Sequence, residues 1–343
     1  MGILIAIIIF GFLVFFHELG HFIFAVRSGI EVIEFSIGMG PRLWSRKGKL
    51  TTYSLKLLPL GGSCMMKGED EEDDSAGTFL AAGIWGRIAT VAAGPVFNFI
   101  LAFLLSLVLV GWQGTSLTKV SSMEEKSAAA EAGMRKGDRI VSINGSRMTL
   151  AQDVILYNRL HQGEKYSVVI ERDGTEQTLQ LTPQKDSESG AYRMGIGFSK
   201  TKVGFWRSIQ YAFYEMIYWI KLVFLSLGLL FSGRVGVGEL SGPVGLISGI
   251  SNTYQESRSF GVSAAVISML TITVMLSANL GVMNLLPIPA LDGGRLLFLF
   301  WELITRRPLP RKLEGYLNTV GFILLIGLML YVTFFNDIMR LFR

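Results

Sequence analysis

The sequence predicts a polytopic α-helical membrane protein with about four transmembrane helices, a membrane-associated β-loop region and one extracytoplasmic α+β domain. Half of its 343 residues are hydrophobic and only 17% are charged, and the mean hydropathy is +0.44. These values are typical of membrane proteins. Long apolar stretches lie towards both ends of the chain, whereas the middle is rich in charge. The net charge of +5 does not indicate nucleic acid, because basic cytoplasmic loops explain the same excess.

The first apolar segment, 2–26, is long enough to span a bilayer core of about 30 Å. No basic residue precedes it and no small-residue cleavage site follows it, so we expect a retained spanning helix rather than a signal peptide. The stretch after it, 27–67, is basic, which predicts that it is cytoplasmic and that Met1 lies outside. Three short strands are predicted in this stretch, at 31–36, 51–58 and 61–67. The acidic run 69–74 is expected to be a solvated loop.

Three later apolar segments complete the predicted crossings: 81–112, 267–286 and 316–335. The first contains Gly94-Pro95, which we expect to break the helix, and the amide of Asn98; such groups are tolerated at membrane depth only when buried against protein. A further segment, 205–231, carries charges among its aromatic residues. Because 267–286 precedes a basic, cytoplasmic stretch, an even number of crossings must separate it from 81–112. We therefore expect 205–231 to lie on the outer membrane surface.

The charged middle of the chain is expected to form one small domain outside the cytoplasm. Strand-like alternation occurs at 166–172 and 177–181. The stretch 137–145 (GDRIVSING) resembles the signature of a PDZ domain. Such domains bind an extended peptide by strand addition, which makes a peptide ligand one expected partner; a rigid size filter that binds nothing is the alternative. The predicted divisions are 1–112 for the first membrane half, 113–200 for the PDZ-like domain, 201–262 for the membrane-surface region and 263–343 for the second membrane half.

The motif that carries chemistry is His17-Glu18-Leu19-Gly20-His21, an H-E-x-x-H pattern inside the first apolar segment. On a helix, His17 and His21 share one face and can bind one metal ion, while Glu18 can reach a water beside it. Chance occurrence is the alternative, but it does not explain three costly polar groups at membrane depth. The single cysteine, Cys64, excludes an intrachain disulfide and a cysteine-rich metal site.

A hydrolytic zinc site needs a third protein ligand. The only other histidine, His161, lies in the charged domain on the far side of the membrane, which leaves a carboxylate at membrane depth. Asp292 is the candidate, because it follows two prolines and precedes two glycines, where the backbone is unwound, at a depth matching that of Glu18. The alternative interpretation of Asp292 is an aspartate that caps the following helix. For Asn284, the alternative to a functional role is an amide that packs against the unwound backbone and bonds to it.

These motifs resemble those of the bacterial site-2 proteases, and most closely the RseP/RasP group of intramembrane zinc metalloproteases. The shared features are HELGH at 17–21, N-x-x-P-x-P-x-L-D-G-G at 284–294 and the PDZ-like domain between them. The resemblance covers essentially the whole chain. It implies Zn²⁺ bound by His17, His21 and Asp292, with Glu18 activating water and Asn284 steadying the substrate backbone or the developing oxyanion. It also implies a membrane-dipping β-loop that pairs with an unwound substrate strand, formed by Gly61, Gly62, Ser63, Cys64, Met65 and Met66.

The implied activity is hydrolysis of peptide bonds within single-pass membrane proteins, such as remnants of anti-sigma factors or signal peptides. The expected location is the cell (inner or plasma) membrane, with the active site near the cytoplasmic side and the PDZ-like domain and both termini outside. The expected partners are substrate and the lipid bilayer, without nucleic acid. One departure is that the best-known Gram-negative members carry two PDZ domains, whereas one is predicted here.

Two other functions are compatible with parts of this pattern. A catalytically silent membrane scaffold would bind extracytoplasmic peptides through the PDZ-like domain and would close a structural metal site with four protein ligands, of which three are found. A metal transporter would often show internal repeats or several polar helices, and neither is evident in the sequence.

Overall fold

A computed structural model describes residues 2–69, 75–186 and 190–338. Most of the predicted acidic loop, 70–74, lies outside the described residues. The chain forms two compact units: unit 1 comprises Met1–Leu105 and Trp219–Arg343, and unit 2 comprises Ser106–Tyr218.

Helices dominate unit 1, and strands dominate unit 2. The helices are α1 Gly2–Arg27, α2 Ile84–Gln113, α3 Ala128–Glu131, α4 Ala151–Leu160, α5 Phe205–Phe231, α6 Pro243–Ser259, α7 Val262–Leu285, α8 Asp292–Thr305 and α9 Arg311–Tyr331. A short 3₁₀ turn covers Val237–Glu239, and a π-helical segment, Val332–Ile338, continues α9. The strands are β1 Val32–Lys47, β2 Thr52–Met66, β3 Thr115–Met123, β4 Arg139–Ile143, β5 Ser146–Arg147, β6 Tyr166–Arg172, β7 Thr175–Leu181, β8 Gln184–Lys185, β9 Tyr192–Arg193 and β10 Ile196–Thr201.

Five helical segments in the described ranges are long and apolar enough to cross a membrane: α1, α2, α5, α7 and Lys312–Asp337, which contains most of α9. This confirms the predicted polytopic α-helical membrane protein. The segment 205–231, expected on the outer surface, is the continuous 27-residue helix α5. Only 6% of its most apolar 18-residue stretch is buried inside the protein. Length and composition would allow it to cross, so its placement depends on the directions of its neighbours.

The packing of unit 1 fixes the relative directions of α1, α2 and α7. Leu13 in the first half of α1 packs with Leu101 of α2, whereas Ala25 near its end packs with Ile88 at the start of α2. The two helices are therefore antiparallel. The early residues of α7 line a groove with the first turns of α1, and Ser277, in the second half of α7, donates to the backbone carbonyl of Asn98 at 2.7 Å. Consequently, α7 runs parallel to α1.

The two long strands of unit 1 fold back on themselves and form a sheet of four segments. Glycines with positive φ lie at the bends, at Gly38 and Gly40 in β1 and at Gly61 in β2. The residues 34–37 of β1 pair with two different parts of β2, with 62–65 on one side and with 52–55 on the other. The segment Gly62–Met66 is therefore an outer edge of this sheet. The sequence placed strands here but did not predict that 38–47 continues as strand.

One stretch of unit 1 differs from the sequence-based expectation, and a second had no predicted secondary structure. The helix α2 passes through Pro95 without interruption, because a proline removes only one backbone donor and neighbouring helices support the rest. The basic stretch after 292 begins with the amphipathic helix α8, whose buried residues include Leu296 and Leu299. These two leucines pack with the end of α1 and the beginning of α2.

Unit 2 contains a sheet and the helices α3 and α4, as an α+β domain requires. The strand order of its main sheet is β10-β3-β4-β6-β7, with β5 beside β4. Its core contains fully buried residues from β4 and β6, such as Ile140 and Tyr166. The buried Asp138 accepts two hydrogen bonds from Arg172, at 2.8 Å and 2.7 Å. The Arg172 guanidinium holds the pKa of Asp138 below its usual range, so this pair stabilises unit 2 at neutral pH and loses that contribution as the pH falls through the lowered pKa.

Candidate metal centre and its cavity

The two histidines of the H-E-x-x-H motif lie on the buried face of α1, where α1 crosses α2. Both are less than 10% exposed. The crossing is close because two glycines face each other's helices: a Cβ on Gly20 would lie 2.4 Å from the carbonyl oxygen of Ala93, and a Cβ on Gly94 would lie 2.2 Å from His21 Nε2. Only glycine at position 94 leaves room for both imidazole rings, because its Cβ would also be 2.9 Å from His17 Cε1.

Three candidate ligand atoms converge at this crossing, although Asp292 is 275 positions from His17 in the sequence. His17 Nε2 and His21 Nε2 are 3.2 Å apart, and Asp292 Oδ2 lies 3.2 Å from the first and 3.5 Å from the second. Ligand atoms about 2.0–2.1 Å from a tetrahedral zinc ion are about 3.3 Å from one another. The three distances therefore fit a shared zinc ion.

The polar atoms of this cluster also need a cation. In the described chain, Asp292 Oδ2 is buried and has no hydrogen-bond partner. His21 Nδ1 lies 2.9 Å from the carbonyl oxygen of Thr90, and since a carbonyl can only accept, Nδ1 carries the proton and Nε2 of the neutral ring presents a lone pair. A lone pair facing a buried carboxylate oxygen is unfavourable unless a positive charge lies between them.

The helix α2 also orients His17. The Asn98 amide is fully buried and its Nδ2 position lies 3.0 Å from His17 Nδ1. Its Oδ1 is a buried oxygen with no hydrogen-bond partner among the described residues. If the amide is turned by 180°, Oδ1 accepts the Nδ1 proton of His17, and His17 Nε2 is left for a metal. Thr90, Gly94 and Asn98 are spaced by four residues and form one stripe of α2 that faces both histidines.

Asp292 is the first residue of α8, at the end of an unwound loop. The loop contains Ala290 in a left-handed conformation, with a φ of 75°. The helix packs tightly under this loop, because a Cβ on Gly293 would lie 2.2 Å from the carbonyl oxygen of Leu286 and one on Gly294 would lie 2.4 Å from that of Ile288. The side chain of Asp292 points to the two Nε2 atoms rather than to the helix backbone.

Glu18 lies beside the cluster and faces the outer edge of the sheet. It is half-buried and it is not one of the three residues that share the candidate metal position. The backbone N–H of Cys64 faces its carboxylate. The strand approaches so closely that a Cβ on Gly62 would lie 2.9 Å from Glu18 Cγ. A glycine is therefore required for the strand to reach the glutamate.

These groups surround a cavity of about 330 Å³. Its lining residues are His17, Glu18, His21, Gly62, Ser63, Cys64, Met65, Met66, Glu69, Val91, Asp292 and Arg295. The cavity thus contains all three candidate ligands, the glutamate and the edge segment 62–66. The residues around it combine a candidate metal position, a carboxylate that could accept a proton and a strand edge with no neighbouring strand among the described residues.

Two residues of the predicted site lie apart from this cavity. Asn284 occupies the last turn of α7 and is half-buried, and it is not among the cavity-lining residues of the described chain. Gly61 lies at the bend of β2 with a φ of 84°. His161, expected to be a poor ligand, is in unit 2, where its ring stacks on Tyr157 at 4.1 Å.

The sequence predicts that Gly94 and Asn98 are buried, but it does not assign them to the candidate metal centre. Their four-residue spacing, extended back to Thr90, was the signal that could have placed them opposite the two histidines. The signal is specific only when the partner helix is known, because any buried helix face has the same spacing.

Comparison with known proteins identifies relatives of this chain. The family description "Peptidase family M50" matches residues 5–328. A relative from Clostridium acetobutylicum is 36% identical over 333 residues, covering 97% of this chain and 96% of its own. The zinc metalloprotease RasP of Bacillus licheniformis is 33% identical over 421 aligned positions, covering 98% of each chain.

The regulator of sigma-W protease RasP of Bacillus subtilis is 31% identical over 421 positions, again with 98% of each chain covered. These alignments are longer than the 343 residues here, so both relatives carry residues without a counterpart in this chain. Among solved structures, a PDZ domain of an SdrC-like protein from Listeria monocytogenes aligns with 24% of this chain and 86% of its own at 19% identity, with a TM-score of 0.22.

Proposed function

This chain belongs to peptidase family M50 and is a zinc metalloprotease, and on that basis we propose that it cleaves single-pass membrane proteins within their spanning segments. The observation that carries the proposal is the single cavity that joins three zinc-type ligand atoms, Glu18 and a strand edge. A protease that acts on helices in a bilayer needs all three, because a helical substrate hides its carbonyl groups in its own hydrogen bonds.

We assign the zinc position to His17, His21 and Asp292. A zinc ion held there would polarise the scissile carbonyl and lower the pKa of a water molecule to about 7. Three protein ligands leave a fourth position open, as catalytic zinc sites require. A structural metal in a silent scaffold would instead be closed by a fourth protein ligand, and the described residues offer three.

Glu18 acts as the general base and then as the general acid. Its carboxylate takes the proton of the attacking water and passes it to the nitrogen of the leaving amine. The carboxylate lies at the cavity, between the candidate ligands and the strand edge. Asn284, in the last turn of α7, is proposed to steady the substrate backbone near the reacting carbonyl.

The edge segment Gly62–Met66, with the bend at Gly61, is proposed to bind substrate as an added strand. The backbone N–H of Met66 points away from β1, since it donates to the carboxylate of Glu69, and the N–H of Cys64 faces Glu18 on the same side. Alternate residues of a strand face the same side. An unwound substrate that displaced the carboxylate of Glu69 and paired with this edge would therefore run directly past Glu18.

The topology follows from the helix directions. Because α1 and α7 are parallel and α2 is antiparallel to them, the end of α2 and the beginning of α7 lie on the same side of the membrane. An even number of crossings must separate them, which favours a surface position for α5. With the basic stretch 27–67 inside, the proposed site is near the cytoplasmic side, and the PDZ-like domain and both termini are outside. We retain the divisions 1–112, 113–200, 201–262 and 263–343 on this basis.

The substrate class is proposed from the same features. The name of the Bacillus subtilis relative connects that protein with the regulation of sigma-W. For this chain we propose membrane-embedded remnants of regulatory proteins or of signal peptides, whose ectodomains have already been removed.

The function is tested with the purified full chain in liposomes and a single-pass peptide carrying a fluorophore at each end. We expect cleavage within the apolar segment, loss of activity after treatment with a zinc chelator, and recovery when one equivalent of Zn²⁺ per chain is restored. Mass spectrometry of the fragments locates the cut. Cleavage that persists in fully metal-depleted protein would contradict the proposed role of zinc.

The buried amide that orients His17 gives a further prediction. Replacing Asn98 with alanine removes the acceptor of the His17 Nδ1 proton, and we expect the affinity for zinc to fall about 10–100-fold. Competition with a chromophoric chelator measures this change. Ser277→Ala is the matched control, because Ser277 contacts the backbone carbonyl of Asn98 and not the histidine; an equal loss in both variants would refute the role of the Asn98 side chain.

A further inference from the structure

Three polar residues on one face of α8 each contact a different part of the chain. Asp292, Arg295 and Glu302 are separated by three and seven residues, so they lie on the same face of the helix. Asp292 reaches the histidines of α1. Arg295 forms an ion pair with Glu69, just after β2, and Glu302 forms one with Arg87 in the first turn of α2. The carboxylate of Asp292, a candidate metal ligand, thus makes the first of three polar contacts along one face of α8.

The pair between Arg87 and Glu302 is well placed to fix the orientation of α8. Arg87 donates two hydrogen bonds to the carboxylate, at 3.0 Å and 2.6 Å, and the two side chains are only 9% and 20% exposed. A bidentate pair withdrawn from water holds both distance and direction, since neither charge can be left alone at that depth.

The same face of α2 also holds the histidines. Arg87 lies three, seven and eleven residues before Thr90, Gly94 and Asn98, which places all four on one stripe. That stripe fixes the rings of His17 and His21 at one end and Glu302 of α8 at the other. The helix α2 therefore sets the position of the two ligands on α1 and of the third on α8 against one common surface.

Asp292 benefits from such an anchor, because the tight packing of Gly293 and Gly294 under the loop holds α8 only at its beginning. The residues 286–291 are unwound, and α8 begins with Asp292 followed by two glycines. A rotation of α8 by about 20° about its own axis would move a carboxylate at a radius of about 6 Å by about 2 Å. Metal ligands tolerate displacements of only about 0.2 Å. A contact about 15 Å along the helix fixes that rotation effectively.

The second ion pair connects α8 to the proposed substrate strand. Glu69 accepts the Met66 N–H at 3.3 Å while it pairs with Arg295, and both charged side chains line the cavity. The face of α8 that carries Asp292 is thus held by α2 at its far end and by the strand edge near its beginning.

We propose that Arg87 and Glu302 are positioning residues that hold Asp292 in its ligand geometry through α8, assisted by the pair between Arg295 and Glu69. The inference rests on the proposed zinc site. It predicts that a change at Glu302, ten residues from Asp292, alters the binding of zinc without touching any ligand.

The test uses the full chain in detergent, with zinc affinity measured by chelator competition and with kcat and KM measured on the single-pass peptide. We expect Glu302→Gln and Arg87→Gln each to weaken zinc binding about tenfold or more and to lower kcat, while KM stays within about twofold. The double exchange R87E/E302R should bind zinc more tightly than either single variant. Arg172→Gln, which breaks an equally bidentate pair in unit 2, should leave zinc affinity unchanged.

Zinc binding by Glu302→Gln within about twofold of the wild-type value, at unchanged helix content, would overturn the inference, as would a double exchange that binds no better than the single variants. If Arg87→Gln does not fold, Glu302→Gln decides the matter, because its side chain is the more exposed of the two. In either case a wild-type chain that binds zinc and cleaves peptide leaves the proposed function standing. A wild-type chain that binds no zinc removes the proposed function itself.

Discussion

Replacing Glu18 with glutamine is expected to lower kcat by about 10²–10⁴-fold while zinc stays bound. The amide has the same size as the carboxylate, but it cannot take a proton from water at neutral pH. The candidate ligands are three other residues, so the metal content should not change. The measurement is kcat on the single-pass peptide together with zinc per chain from elemental analysis.

The matched control for this change is Glu256→Gln, the same substitution on the exposed surface of α6. It should leave kcat within about twofold of the wild-type value, because surface substitutions of this kind have small effects. Full activity of Glu18→Gln would remove Glu18 from the reaction, and loss of zinc together with activity would indicate that it is a ligand instead.

Replacing Gly94 with alanine should have the second large effect. The added Cβ would lie 2.2 Å from His21 Nε2 and 2.9 Å from His17 Cε1, so both rings must move by about an ångström. A misplacement of that size costs about 10²-fold in rate, and we expect zinc affinity to fall by at least a similar factor. Alanine favours a helix over glycine by about 1 kcal/mol, so the helix itself should not be weakened.

Gly111→Ala tests the same exchange in the same helix, at a position where an added Cβ meets nothing within 4 Å. It should preserve zinc binding and activity and raise thermal stability slightly. Chelator competition and kcat are measured for both variants. Normal zinc affinity in Gly94→Ala would mean that the metal is not held at the crossing of α1 and α2.

The sequence determined the parts of this protein that depend on local pattern. Four of the five membrane-length helical segments were predicted as crossings, because a run of about 20 apolar residues is a local property. The surface position of α5 rests on the count of crossings between its neighbours and stays a prediction. The pair His17 and His21 was predicted from helical spacing, and Asp292 from the prolines and glycines around it. The glycine-rich edge segment 61–66 was also identified, through the resemblance to site-2 proteases.

Only the tertiary structure decided what lies opposite these residues. Thr90, Gly94 and Asn98 face the histidines because α1 and α2 cross at their glycines, and no pattern within α2 identifies that partner. The ion pair between Glu302 of α8 and Arg87 of α2 joins residues 215 positions apart. The residues 62–66 form an edge because β1 and β2 bend at Gly38, Gly40 and Gly61 and fold back. The spacing of residues determines which side chains lie on the same face of a helix or strand. Contacts between distant segments determine what packs against that face.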